Sequence, residues 1–282
     1  MNKDIIIIVE GGGMTVGFGT GVLESIQNQD LYSRIDSVYG SSAGAHDLAY
    51  FLTKQTSLSG KVPIEYLSRN KFIKKQKFIK FIKTIILGKK YNLIKIDYLI
   101  NIEKHIVRLN TTSIKTNPIK LYYRVFDINK LKSKIINGKE HIFGGLMASS
   151  ACIPYFNKPV KINNGLYIDG SYMVTESFEN IISKNKDKKI IYIINHKITL
   201  FNAIIKYPVR LLEAILIWRL YGLKLALRYA STLDVINTNK LKKYKNVILI
   251  ENKLNNDVGC TDKEKLTKLY NYGKELGARI KI

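Results

Sequence analysis

The sequence predicts an α/β fold built on a mainly parallel sheet, because two adjacent segments repeat one pattern of strand, glycine turn and helix. Ile5 to Val9 is β-branched throughout, Gly11-Gly12-Gly13 stops the run, and Gly17 to Gln27 resumes with Val22, Leu23 and Ile26 at helical spacing. Ile35 to Tyr39 reads as a second short strand, Gly40-Ser41-Ser42-Ala43-Gly44 as a tight turn, and Ala45 to Lys54 as a second helix with Leu48, Phe51 and Leu52 on its inner side. Parallel neighbours cannot be joined by a hairpin and need such a crossover, so the repeat implies a parallel sheet.

Further strands are predicted at Leu121 to Phe126, Leu166 to Ile168, Ile190 to Ile194 and Val247 to Ile250. The stretch from about 55 to 118 is less regular and strongly basic, and reads as a helical insertion over one end of the sheet. Residues 203–282 read as a C-terminal helical region with one late strand, in which Ala203 to Tyr229 forms a long helical stretch. Thr261-Asp262-Lys263-Glu264 fits a capping box that opens a final helix carrying Leu266, Leu269 and Tyr270. With no repeat and no linker, the 282 residues are read as one domain.

A hydrophobic content of 46% and a mean hydropathy of −0.07 are those of a globular protein and exclude disorder. The two cysteines, Cys152 and Cys260, lack paired spacing for zinc or a disulfide scaffold, which points to a reducing, cytoplasmic location and to no metal. The apolar run near the start is followed by Glu10 and three glycines rather than a cleavage site, so it reads as a buried strand and not a signal peptide. Glu213, Arg219 and Lys224 interrupt the best membrane-span candidate, Leu211 to Leu227.

A net charge of +24 favours anionic partners, either nucleic acid or an anionic bilayer, although a Lys-, Ile- and Asn-rich composition can also produce it as a merely solvated surface. No helix-turn-helix, zinc or ribonucleoprotein signature is present, so nucleic acid is not expected. Between Lys74 and Ile86, Lys77, Lys80 and Lys83 recur every third residue with Phe78, Ile79, Phe81, Ile82, Ile85 and Ile86 between them. Such a helix can lie on an anionic membrane or cover the protein's own core.

Gly40-x-Ser42-x-Gly44 places a serine between strand and helix in a turn too tight for β-carbons at the glycine positions. Ser41 has the same chemistry, but the glycines bracket Ser42. If the turn were only structural, Ser42 would cap the helix that follows. Gly11-Gly12-Gly13 lacks the third glycine of a dinucleotide fingerprint at Val16 and the lysine of a phosphate loop after Gly17, which leaves an oxyanion hole of bare backbone N–H groups. Serine needs a proton acceptor. His46 lies one turn past Ser42 on its own helix, and His105 and His141 sit in polar stretches. Two arrangements then remain open: Asp169, at a strand end before Gly170, acting directly, or a Ser42-Asp169-His196 triad.

Val9-Glu10-Gly11-Gly12-Gly13-Met14, Gly19-Thr20-Gly21-Val22-Leu23, Tyr39 to Ala45, Ala148 to Pro154, Tyr167-Ile168-Asp169-Gly170 and the closing stretch Asp262 to Gly273 together resemble the patatin-like phospholipases, specifically the bacterial patatin-like group, over nearly the whole chain. The resemblance implies a three-layer α/β/α sandwich and a lipid acyl hydrolase that forms an acyl-enzyme without a cofactor. It implies Ser42 as nucleophile, Asp169 as base and the amides of Gly12, Gly13 and Met14 as oxyanion donors, which demotes His196. Three departures stand out: Thr15-Val16 before Gly17 where the family often has a basic residue and glycine, Ser171 after Gly170, and Thr175 to Phe178 where a proline is expected. The altered glycine loop leaves a catalytically silent lipid-binding relative as the competing reading.

Overall fold

In a computed structural model of the chain, residues 3–68, 72–74, 77–171, 176–196, 206–232, 236–254 and 257–282 are described. Each predicted strand forms: β1 (Ile5–Val9), β2 (Ile35–Ser41), β3 (Lys120–Asp127), β6 (Gly165–Asp169), β7 (Lys189–Ile194) and β8 (Val247–Glu251). Two short strands are added to them, β4 (Lys132–Asn137) and β5 (Val160–Ile162). Pairing is parallel between β1 and β2, β1 and β7, β2 and β3, and β7 and β8. It turns antiparallel where β3 meets β4 and β6 and where β5 meets β6, so the sheet is mixed.

Helices cover both faces, giving the three-layer α/β/α arrangement. Ile5, Ile7 and Val9 of β1 face a core shared with α1 (Gly17–Gln27), α2 (Ala43–Leu52), α7 (Ile142–Ser150) and α12 (Lys263–Ala278). Ile6 and Ile8 face the other way, toward α8 (Glu176–Lys184) and α11 (Thr238–Leu241). On that second face α9 (Tyr207–Tyr221) and α10 (Leu223–Ala230) seat Ala214, Ile217, Leu225 and Tyr229 on Phe126 and Ile168. Burial of β1 on both faces is why its sequence reads as an unbroken apolar run rather than an alternating one.

Several expectations are corrected. The basic segment does form helices, α3 (Thr56–Lys61), α4 (Phe78–Ile86), α5 (Ile96–His105) and α6 (Thr111–Thr116), with a π-helical turn at Val62–Leu67. Leu99, Ile102 and Ile114 join the main core while Phe81 and Ile85 of α4 pack on Leu216 of α9, so the segment packs into the body of the fold rather than standing apart as a separate insertion. The long helical stretch breaks at Gly222, whose φ of 91° lies in a region open to glycine, and its first residues, 203–205, lie outside the described ones. The final helix is capped by Asp262, which accepts from the Lys265 amide, and not by Thr261. Among the described residues no helix is long and apolar enough to cross a membrane.

Candidate active site

The register of β3 brings the predicted nucleophile and base together. Arg124 pairs with Ser41 of β2, and the next residue, Val125, pairs with Asp169 of β6. Tyr123 and Arg124 pair with β4 as well as β2, and Phe126 and Asp127 with β4 as well as β6. β2 and β6 therefore lie end to end along the same edge of β3, arriving from opposite directions. Consecutive rungs are about 3.3 Å apart along a strand, so Ser42 and Asp169 meet at the carboxyl end of β2, where open α/β sheets carry their sites.

At the turn, Ser42 has φ 51° and ψ −130°. A non-glycine residue in such a conformation costs of order 1–3 kcal/mol, a cost often found at nucleophile turns. Gly44 makes the turn feasible, since a β-carbon there would fall 2.6 Å from the Val9 carbonyl oxygen and 2.7 Å from that of Glu10. At Gly40 one would fall 2.5 Å from the Ala45 Cα. Ser42 occupies the N-cap position of α2, yet its hydroxyl makes no capping bond and remains available for other partners. Its amide donates to the Ser149 Oγ at 2.8 Å, and Ser149 donates to the Arg124 carbonyl at 2.8 Å, which fastens the turn to β3. Ser41, by contrast, is fully buried and accepts a 3.1 Å bond from the Arg124 Nε.

Asp169 is 2% exposed. Burial pushes its carboxyl above the usual carboxylate range, against the opposing pull of hydrogen bonds from Ser171 and Ser42 and of the Arg124 charge. The Ser171 amide and hydroxyl reach Asp169 Oδ1 at 2.8 and 2.7 Å, so the serine that departs from the family pattern is a partner of the carboxylate. Gly170 lets β6 close on β3, because a β-carbon there would lie 2.7 Å from the Arg124 backbone. The third departure begins at Thr175, which lies outside the described residues.

The glycine loop abuts Ser42 and Ser171. A β-carbon on Gly11 would stand 2.9 Å from the Ser171 Oγ and 3.0 Å from the Ser42 Cβ. Among the described residues none accepts a hydrogen bond from the amides of Gly11, Gly12 or Gly13. Met14 is different: its amide donates to the Val258 carbonyl at 2.8 Å, so the donor implied by the resemblance is already engaged. Thr15, one of the departures, closes the loop by donating its hydroxyl to the Gly12 carbonyl at 2.8 Å.

Three supports were not legible in the sequence. Asn195 is fully buried, accepts from the Gly19 amide at 2.7 Å and donates to the Glu10 carbonyl at 2.8 Å, pinning both ends of the glycine loop. Arg124 pairs with Glu10 at 2.6 Å under near-complete burial and stacks 4.1 Å from the centre of the Phe178 ring. Tyr192 donates its hydroxyl to Glu10. A lone Arg in a strand, or a lone Asn just after one, carries no local signal of such a role.

The histidines separate clearly. His46 is buried and bonded to Glu103 at 2.7 Å through Nδ1 and to Ser150 at 2.8 Å through Nε2. Burial works against its charge, but Glu103, with Asp47 and Asp169, holds its pKa above the ordinary value. Both ring nitrogens are thus committed away from Ser42. His196 follows β7, which lies beyond β1 from β2, so the glycine loop stands between its strand and the Ser42-Asp169 pair. A relay would need the imidazole between the two.

The sequence model of the patatin-like phospholipases matches residues 7–175, which include the glycine loop, Ser42 and Asp169. No curated protein matches. Among the solved structures, the chain is similar to VipD from Legionella pneumophila at 14% identity and a TM-score of 0.44, covering 98% of this chain and 66% of that one. The family match spans well over half of the 282 residues, and the chain belongs to the patatin-like phospholipase family, whose members are in general lipid acyl hydrolases.

Proposed function

We propose that the protein is a serine acyl hydrolase that cleaves acyl esters of phospholipids and related lipids, with Ser42 as nucleophile and Asp169 as base. The observation that carries this reading is that Ser41, the residue before Ser42, and Asp169 occupy consecutive rungs of β3, with a hydrogen bond from Ser42 among the influences on the Asp169 carboxyl. Asp169 takes the Ser42 proton as Oγ attacks the ester carbonyl. The amides of Gly11, Gly12 and Gly13 hold the oxyanion of the tetrahedral intermediate. The intermediate collapses, the alcohol leaves with the proton from Asp169, and the acyl-enzyme is hydrolysed by a water that Asp169 deprotonates in turn. Burial favours this, since a carboxylate near its reference pKa of ~3.9 is a weak base.

Hydrolysis of a long-chain acyl ester by Ser42→Ala and Asp169→Asn is expected to fall by orders of magnitude, and by His196→Ala to change little. A fluorophosphonate probe should label the wild type and not Ser42→Ala. A dead His196→Ala protein beside an active Asp169→Asn protein would return the site to a triad, and an unlabelled wild type would make the protein a silent lipid binder.

A further inference from the structure

We infer that α4, α9 and α10 together form a docking face for an anionic lipid bilayer. The expected amphipathic helix divides its apolar residues: Phe81 and Ile85 are buried against Leu216 of α9, while Ile79 and Leu87 remain 71% and 73% exposed. Residues 75 and 76, part of the predicted helix, lie outside the described ones. α9 turns Ala214, Leu216 and Ile217 inward and presents Leu211, Leu212, Ile215 and Trp218 to solvent as one stripe at helical spacing. α10 leaves Leu223 and Leu227 outside, beside the exposed Lys224 and Arg228. The helices are in direct contact: α9 packs on both others, and Arg219 donates to the Ile86 carbonyl at 3.4 Å.

Apolar exposure on this scale marks a surface that something covers, and charge identifies the cover. Residues 74–92 hold seven Lys and Arg and residues 206–232 hold five, against one acid in the two segments, Glu213. That acid is turned to the Tyr155 and Tyr229 hydroxyls. A second copy of the chain would bring like charges together, whereas an anionic bilayer offers both the acyl boundary for Ile79, Ile215 and Trp218 and the opposite charge for the flanking lysines. α9 and α10 are seated on Ile168, the residue before Asp169, so docking holds the site next to the membrane.

The inference extends the lipid-hydrolase reading, and its test reads binding in the Ser42→Ala protein as well as the wild type, so that failed docking and failed chemistry are told apart. Trp218 is the only tryptophan and sits on the face itself, 51% exposed. Its emission should shift to the blue with phosphatidylserine–phosphatidylcholine vesicles, much less with phosphatidylcholine alone, and the shift should recede with salt. Ile215→Asp and Leu227→Asp, both at exposed positions, should weaken vesicle binding at least about tenfold, and Lys80→Gln about fivefold. Hydrolysis of a soluble short-chain ester should be unchanged in all three. No shift with either vesicle overturns the inference, as does an equal, salt-insensitive shift with both. A lipid-free shift that grows with protein concentration, together with a dimer in sedimentation, overturns it in favour of self-association.

Discussion

Gly11→Ala isolates the contact between the glycine loop and the reacting groups. The added methyl would lie 2.9 Å from the Ser171 Oγ and 3.0 Å from the Ser42 Cβ, both inside normal contact distance. Ser171 can rotate away, which forfeits its 2.7 Å bond to Asp169, of a kind worth about 1.5–3 kcal/mol when the acceptor is charged. Replacing glycine where φ is not positive returns about 0.4–1 kcal/mol through the unfolded chain. The net loss of stability is therefore about 1–2 kcal/mol, a few degrees of melting temperature. Ser42 cannot yield so easily, because its backbone is fixed at φ 51° and tied to Ser149. Displacing a nucleophile by about 1 Å can cost about a hundredfold in kcat, so a shift of a few tenths of an ångström is expected to lower kcat by about tenfold. Steady-state hydrolysis of a p-nitrophenyl acyl ester and thermal unfolding measure the two effects separately. Gly44→Ala is the control, since its methyl meets backbone oxygens that cannot rotate and should disrupt the fold itself. Wild-type kcat in a well-folded Gly11→Ala protein would refute the placement of the loop over Ser42.

Asp47 is the second perturbation. Burial pushes its carboxyl up to about 7, although Thr20 and Ser59 donate to one oxygen, and the other is buried without a partner. A raised folded-state pKa contributes stability below the unfolded value of 3.8 that is lost as pH rises through about 7. Urea unfolding at pH 5 and pH 8.5 should thus show Asp47→Asn gaining on the wild type at the higher pH, by about 3 kcal/mol at most. Asn195→Ala leaves the Gly19 amide and Glu10 carbonyl unpaired, at about 1–3 kcal/mol each, and should lower kcat more than it raises KM. Ser171→Ala removes a hydrogen bond that lowers the Asp169 pKa, so the acid limb of the kcat/KM profile should move to higher pH.

What the sequence discloses here is what short stretches decide for themselves. The turn at Gly40 to Gly44 is dictated by atoms within a few residues of Ser42, and β1 is dictated by its own β-branched run, so both are legible. β5, only three residues long, and β4, with lysines at two of its six positions, form because β6 and β3 offer them an edge, which no local pattern announces. Asp262 takes the cap from Thr261 because the choice between adjacent capping residues depends on where the helix begins in space. Asn195 and Arg124 escape for the same reason. Their partners, Gly19, Glu10 and Ser41, are brought to them by the pairing of β7 with β1 and β3 with β2.

A two-residue mechanism makes particular demands on β3. In a triad the imidazole spans the distance between serine and acid, and its ring can absorb small errors of position. With no ring between them, the proposed pair depends on backbone register alone, and the strand that sets it is secured on every side near the site. The Arg124 carbonyl holds Ser149, which holds the Ser42 amide; the Arg124 side chain holds Ser41 and Glu10. Burying that ion pair is not an obvious source of stability, since the desolvation cost of two charges can match their attraction. Its place explains it better: Glu10 ends the segment from which the glycine loop departs, and Arg124 faces the rung before Asp169. One guanidinium thereby ties the segment before the glycine loop to β2, one rung from the proposed base, and Glu10 beside it offsets the charge whose pull on Asp169 opposes the effect of burial.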